Sequence, residues 1–141
     1  MAYVPRWEHF DHPSDIGLRG IGATPAAAFE QAALALTAVG VEPGRVAPSS
    51  PVRIVCESSA LDLLLVDWLS AVLLEMGRRQ MLFSKFDVRL DHLCLEATAW
   101  GEPANALRHE PSVEVKGITF NELSVRQEAS GEWIAECVVD V

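Results

Sequence analysis

The acidic residue best placed for chemistry is Asp15, which stands in a turn between two extended runs. Residues 12–15 have the sequence His-Pro-Ser-Asp, and a proline followed by small polar residues favours a tight reversal of the chain. Gly17, Gly20 and Gly22 follow and would let another backbone or a ligand approach closely. A carboxylate in this position can bind a cation, cap the turn or face water, and all three interpretations stay open.

A second acidic group stands where the last predicted strand finishes on Asp140 and Val141. The side-chain carboxylate of Asp140 and the terminal α-carboxylate of Val141 lie close together there. Neighbouring carboxylates repel each other unless a cation or a basic residue lies between them. Such hard oxygen ligands suit Ca²⁺, Mg²⁺ or Mn²⁺ rather than Zn²⁺. The residue pattern alone does not bring this pair together with Asp15.

The composition predicts an acidic globular protein with a single domain, residues 1–141. Half of the residues are hydrophobic and 22% are charged, which excludes a disordered chain. The net charge is −9, with 11 Lys and Arg against 20 Asp and Glu, so the chain has no general attraction for RNA or DNA phosphates. Any role in nucleic-acid chemistry is expected to pass through a partner.

Targeting and redox signals point to the cytoplasm. The first residues lack the basic and apolar regions of a secretory signal, and Asp67 and Glu75 interrupt the longest apolar stretch, residues 61–76. The three cysteines are widely spaced, which fits neither a zinc pattern nor a disulfide framework. They are expected to be reduced: Cys56, Cys94 and Cys137.

Two helices are predicted from capping residues and apolar periodicity. The first begins at Thr24 and Pro25, carries an alanine-rich apolar face that should pack close to a sheet, and ends at Gly40. The second is expected to have Ser59 as its N-cap, with Asp62 completing a variant of the capping box. Its apolar stripe is broad, so it should be buried on most sides.

The remaining pattern is that of strands joined as hairpins, which gives an α+β fold. We expect a mixed or antiparallel sheet of hairpin strands with the two main helices packed on it. The strands after the first hairpin are predicted at residues 51–57, 82–90, 93–100, 115–120, 123–125 and 133–141. In the loop between the strands predicted at residues 93–100 and 115–120, His109 and Glu110 could form an ion-binding or acid–base pair or act as unrelated loop residues.

The order and spacing of several short motifs resemble the archease family. No single motif is diagnostic, but together they run nearly from end to end of the chain. They are the His-x-x-Asp-Ile-Gly sequence at residues 12–17, the helix opening at residues 24–30, and residues 81–86, 101–103, 109–111, 115–120 and 140–141.

This resemblance implies a protein cofactor that is not itself an enzyme. Archeases are small α+β proteins that assist the GTP- and Mn²⁺-dependent RNA ligase, which joins tRNA halves and repairs RNA with 2′,3′-cyclic or 3′-phosphate ends. The chain would promote guanylylation of the ligase's active-site histidine and allow repeated turnover. Its partner would be that ligase, with RNA reached only through it and with no membrane or DNA involved.

The resemblance also implies which residues form the site. Asp15, Asp140 and Val141 would hold a divalent metal ion, with Ca²⁺ favoured and Mg²⁺ or Mn²⁺ as alternatives. Lys116 and His12 would act toward the partner.

Four positions depart from the common family pattern. Ser14 replaces an alanine, Gly117 replaces another, and Phe120 with Asn121 stands where a Tyr-His pair is frequent. The resemblance therefore carries over no proton-transfer or metal role from that histidine.

Two other classes of function compete with the cofactor interpretation. A metal-dependent hydrolase could use Asp15 and Asp140 with His12 or His109, and would need an open metal position and a base. A general chaperone or interaction module would act on several unrelated partners without specific chemistry.

Overall fold

The computed structural model describes residues 3–141. The strands are β1 (Arg6–His12), β2 (Asp15–Gly22), β3 (Ser50–Glu57), β4 (Met81–Asp91), β5 (Cys94–Pro103), β6 (Gly117–Ile118), β7 (Ser124–Gln127) and β8 (Trp133–Asp140). The helices are α1 (Pro25–Gly40), α2 (Leu61–Arg79) and the short α3 (Ala106–His109). Within this described range, no helix is long and apolar enough to cross a membrane.

The strands form two sheets in which all pairings are antiparallel. The five-stranded sheet has the order β1-β2-β8-β6, with β7 also paired to β8, and the three-stranded sheet has the order β3-β5-β4. The predicted α+β class, with antiparallel hairpins and two main helices, is confirmed. A single sheet was predicted from the sequence, whereas the strands divide into two, because the division depends on the pairing of β2 with β8 from the far end of the chain.

The alanine-rich helix α1 lies at the centre of the core and packs against strands of both sheets. The indole N–H of Trp68 in α2 donates to the carbonyl oxygen of Phe29 in α1 at 3.0 Å. The hydroxyl of Thr37 in α1 donates to the carbonyl oxygen of Phe83 in β4 at 2.8 Å. These bonds join α1 to α2 and to the three-stranded sheet, and they satisfy polar groups that burial would otherwise leave unpaired.

The two helix starts differ in how well the sequence predicted them. The hydroxyl of Thr24 accepts a hydrogen bond from the Ala27 N–H at 3.1 Å, so the predicted cap of α1 is confirmed. The predicted cap of α2 at Ser59 is wrong, because Ala60 is the N-cap and no side chain caps it. Asp62 instead accepts from the N–H of its neighbour Leu63, which draws its carboxylate away from the capping position.

His109 and Glu110 do not form the pair that was considered for them. The ring of His109 is buried and lies 3.0 Å from the carboxylate of Glu102 at the end of β5, whereas Glu110 pairs with Arg45. The N–H of Asn105 donates to Nδ1 of His109 at 2.9 Å, so the proton is on Nε2, which donates to Glu102. This pair fastens α3 and the following loop to the three-stranded sheet.

The Glu102 carboxylate is held in its charged form by several donors. The N–H of Ala47 donates to it at 2.7 Å, His109 donates to it, and the Arg108 guanidinium lies 2.8 Å away. These contacts, the Ala47 bond first, lower the pKa of Glu102 below its usual value of 4.5. A carboxyl group with a lowered folded-state pKa contributes stability above about pH 4.5 that is lost as the pH falls through the folded-state value.

We therefore expect wild-type protein to lose more unfolding free energy between pH 7 and pH 3 than a Glu102→Gln variant loses. Urea unfolding at a series of pH values measures the difference. Glu96→Gln is the matched control, since the Glu96 side chain is 65% exposed beside Arg53 and should leave the pH dependence unchanged. Parallel pH curves for wild type and Glu102→Gln would contradict this assignment.

Candidate metal and partner site

Four strand ends meet at one end of the five-stranded sheet. β1 finishes at His12, β2 begins at Asp15, β8 finishes at Asp140, and Lys116 directly precedes β6. The strand order β1-β2-β8-β6 places these residues side by side across the sheet. We refer to His12, Asp15, Lys116 and Asp140 as the tip.

The register of β2 and β8 makes Asp15 and Asp140 neighbours. Ile16 is paired with Val139, and each aspartate is the next residue along its strand in the direction of the tip. Residues facing each other on antiparallel strands have Cα atoms about 4.5–5.5 Å apart and side chains on the same face. Two carboxylates from opposite ends of the chain are thus brought together.

Lys116 is held beside Asp140 by a backbone hydrogen bond. Its N–H donates to the Asp140 carbonyl oxygen at 2.7 Å, and the next residue, Gly117, is the β6 partner of Asp140. The Lys116 residue is exposed, and no salt bridge to it is found among residues 3–141. The cationic group is therefore available to a phosphate or to an acidic group of a partner.

The turn before Asp15 holds a histidine beside the carboxylate. Ser14 adopts the left-handed conformation, with φ 63°, so the chain reverses over two residues and His12 pairs with Asp15. The His12 Nδ1 atom lies 3.8 Å from a carboxylate oxygen of Asp15, which is too far for a hydrogen bond. This nitrogen is buried and has no hydrogen-bond partner among the residues that the structure describes.

The tip is built on residues that pack into the core. Ile16 follows Asp15, Ile118 follows Gly117, and Val141 follows Asp140, and all three apolar side chains pack against the buried cluster. Asp15 and Asp140 are therefore each followed directly by a residue that packs against the core. Pre-formed sites of this kind lose little conformational entropy when a ligand or a partner binds.

The donors at the tip fit a hard divalent cation only in part. Asp15, Asp140 and the carboxyl group of Val141 offer oxygen ligands, whereas Ca²⁺ takes six to eight. In the described part of the chain, no three His, Cys, Asp or Glu side chains form a group that could hold a metal ion on their own. Water or a partner would have to complete the coordination shell.

The cysteines do not contribute to the tip chemistry. Burial, with a smaller contribution from Glu136, raises the pKa of the Cys137 thiol to about 12, so Cys137 stays protonated and inert. Cys56 is half-buried, and burial raises the pKa of its thiol as well. Both observations fit thiols that serve as packing groups.

Phe120 is an exposed residue near the tip for which the sequence pattern predicts no role. Phe120 follows β6 and is 67% exposed, although aromatic side chains of its size are usually buried. The local signal was an apolar residue inside a polar segment, followed by Asn121 and Glu122.

Comparisons with known proteins agree with this architecture. The Archease protein family (MTH1598/TM1083) matches residues 7–141. Protein archease of Pyrococcus abyssi is 34% identical over 142 residues, covering 98% of this chain and 100% of that protein. Protein archease of Thermococcus kodakarensis is 35% identical over 140 residues, covering 96% and 99%.

Two solved structures have the same fold. The solution structure of Methanobacterium thermoautotrophicum protein 1598 superposes with a TM-score of 0.83 at 32% identity, over 96% of this chain and 98% of that one. The crystal structure of a Thermotoga maritima archease, described as a possible chaperone, gives a TM-score of 0.63 at 11% identity, over 95% of this chain and 96% of that one. Because the family match spans nearly the whole sequence and the relatives align over nearly their full length, this chain belongs to the archease family.

Proposed function

We propose that the chain is a protein cofactor of the GTP- and Mn²⁺-dependent RNA ligase, promoting guanylylation of the ligase histidine and multiple turnover in tRNA splicing or RNA repair. The observation that carries the proposal is the convergence of Asp15, Asp140 and Lys116 at one exposed strand-end tip. The chain is then an activator rather than an enzyme. It works in the cytoplasm beside the ligase.

The tip would bind a divalent metal ion through Asp15, Asp140 and Val141, with Ca²⁺ preferred over Mg²⁺ or Mn²⁺. An oxygen-only donor set supports a hard ion of this group over Zn²⁺. An ion bound there would neutralise the repulsion between the carboxylates and could share an oxygen ligand with a partner.

The chain's own residues would act by docking and orientation. The carboxylates approach a basic, nucleotide-filled cleft, and the exposed Lys116 ammonium meets a phosphate or an acidic residue of the ligase. Contacts of this kind hold the nucleotide where the ligase histidine attacks the α-phosphate in line. The net charge of −9 favours association with such a cleft and disfavours direct binding of RNA.

The decisive experiment is multiple-turnover RNA ligation by the ligase of the same cell, with and without this protein. Wild type should accelerate guanylylation and repeated turnover, and a folded Asp15→Ala variant should not. The aggregation of an unrelated heated protein is assayed in parallel, because a general chaperone would suppress it. Failure of wild type to accelerate the ligase would reject the cofactor function, whereas broad protection of unrelated proteins would support the chaperone alternative.

A further inference from the structure

The segment after β6 presents an aromatic side chain to solvent from a rigid loop beside the tip. Phe120 is 67% exposed, and Asn121 and Glu122 next to it are exposed as well. We define residues 119–122 as the Phe120 loop. Several large apolar side chains are exposed in the described residues, and Phe120 is the most exposed aromatic one among them. Covering a phenylalanine side chain is favourable by about 1.5–3 kcal/mol, which a partner can gain.

The loop is fixed to β8 by backbone hydrogen bonds on both sides of Phe120. The N–H of Thr119 donates to the Val138 carbonyl oxygen at 3.0 Å, and the N–H of Val138 donates to the Asn121 carbonyl oxygen at 3.1 Å. The Thr119 hydroxyl also donates to the Val138 carbonyl oxygen and accepts from the Asn121 N–H. The aromatic ring is therefore presented by a backbone that is already ordered.

The position of the loop connects it to the tip. Val138, to which it is bonded, lies two residues before Asp140 on β8, a distance of roughly 7 Å along a strand. Gly117, the β6 partner of Asp140, is two residues before Thr119. A surface that contacts the tip can thus contact Phe120 at the same time.

We infer that Phe120 is the apolar anchor by which this protein docks onto its ligase, inserting into an apolar pocket within a basic surface. The acidic residues of this region indicate the chemistry of that surface. Glu122 is exposed in the same loop and Asp140 is paired with Gly117 at the start of β6, on a chain of net charge −9 in which Lys116 is the one cation of the tip. Pre-organised aromatic residues surrounded by polar groups are typical binding hot spots. This inference rests on the proposed function and extends it to a specific contact.

The test measures the affinity of each variant for the immobilised ligase and the concentration that gives half-maximal activation of ligation. Phe120→Ala should raise the Kd for the ligase and the half-maximal concentration by about 30-fold each, as expected for a hot spot, without lowering the maximal rate at saturation. Phe120→Tyr keeps the ring and should stay within about threefold of wild type. Leu107→Ala is the matched control, because Leu107 is 93% exposed in α3, which is bonded to the three-stranded sheet, whereas the Phe120 loop is bonded to β8 of the five-stranded sheet.

The outcomes separate this inference from the function on which it depends. If wild type binds and activates the ligase and folded Phe120→Ala does so equally well, the anchor is rejected and the cofactor function stands. If wild type neither binds nor activates, both are rejected. Loss of affinity for a labelled single-stranded RNA, with ligase affinity unchanged, would also reject the anchor, because the ring would then stack on a base.

Discussion

Ca²⁺ is expected to raise the thermal stability of the wild-type protein, and Asp140→Asn is expected to abolish that gain. An ion bound only by the folded chain stabilises it by about 2.7 kcal/mol at a concentration of 100 Kd, which corresponds to roughly 8 °C in Tm for a chain of this length. Asparagine keeps the volume of the side chain and the backbone bond to Lys116, but it removes the charge that faces Asp15. Thermal unfolding followed by circular dichroism at increasing Ca²⁺ measures the effect.

The controls for this prediction are the other tip aspartate, Asp15, and an exposed aspartate of the three-stranded sheet, Asp91. Asp15→Asn should also abolish the Ca²⁺ response, and the double variant should lose no more than either single variant, because the two carboxylates share one ion. Asp91→Asn should retain the response, since the Asp91 side chain is 91% exposed in the β4–β5 turn. If Ca²⁺ raises the Tm of Asp140→Asn as much as that of the wild type, any bound ion lies away from Asp140.

The metal prediction depends on an adjacency that sequence reasoning could not derive. The turn at residues 12–15 was predicted locally, because proline and the small polar residues after it have strong turn preferences. The meeting of Asp15 with Asp140 requires β2 to pair with β8, which is decided by packing of buried residues across the core. Only the family resemblance linked the two ends of the chain before the register was known.

Helices and polar pairs show the same division between local and long-range information. The Thr24 cap lies within one turn of the helix that it caps, and it was predicted correctly. The partner of His109 was not, because Glu102 reaches it only after α3 folds back onto the end of β5. Adjacent residues such as His109 and Glu110 point to different partners. Buried polar pairs of this kind depend on tertiary structure, which local preference does not encode.

Gly20→Ala is expected to destabilise the fold strongly, because it adds a methyl group where β2 lies against the backbone of α1. A Cβ atom at Gly20 would lie 2.1 Å from the carbonyl oxygen of Ala28 and 2.3 Å from the backbone nitrogen of Ala32. These are backbone atoms of α1, so the clash cannot be relieved by rotating a side chain. The helix would have to move away from β2, and overpacking of this kind costs about 3 kcal/mol or more.

Gly77→Ala provides the matched control. Among residues 3–141, no atom outside the adjoining stretch of α2 lies within 4 Å of the added methyl group. That substitution should stabilise the protein by about 0.5–1 kcal/mol, since alanine loses less conformational freedom than glycine in a helix. Urea unfolding of both variants measures the difference. A loss below about 1 kcal/mol in Gly20→Ala would mean that α1 can withdraw from β2 at little cost. Because β2 carries Asp15 at its other end, a variant that moves this strand should also weaken Ca²⁺ binding at the tip.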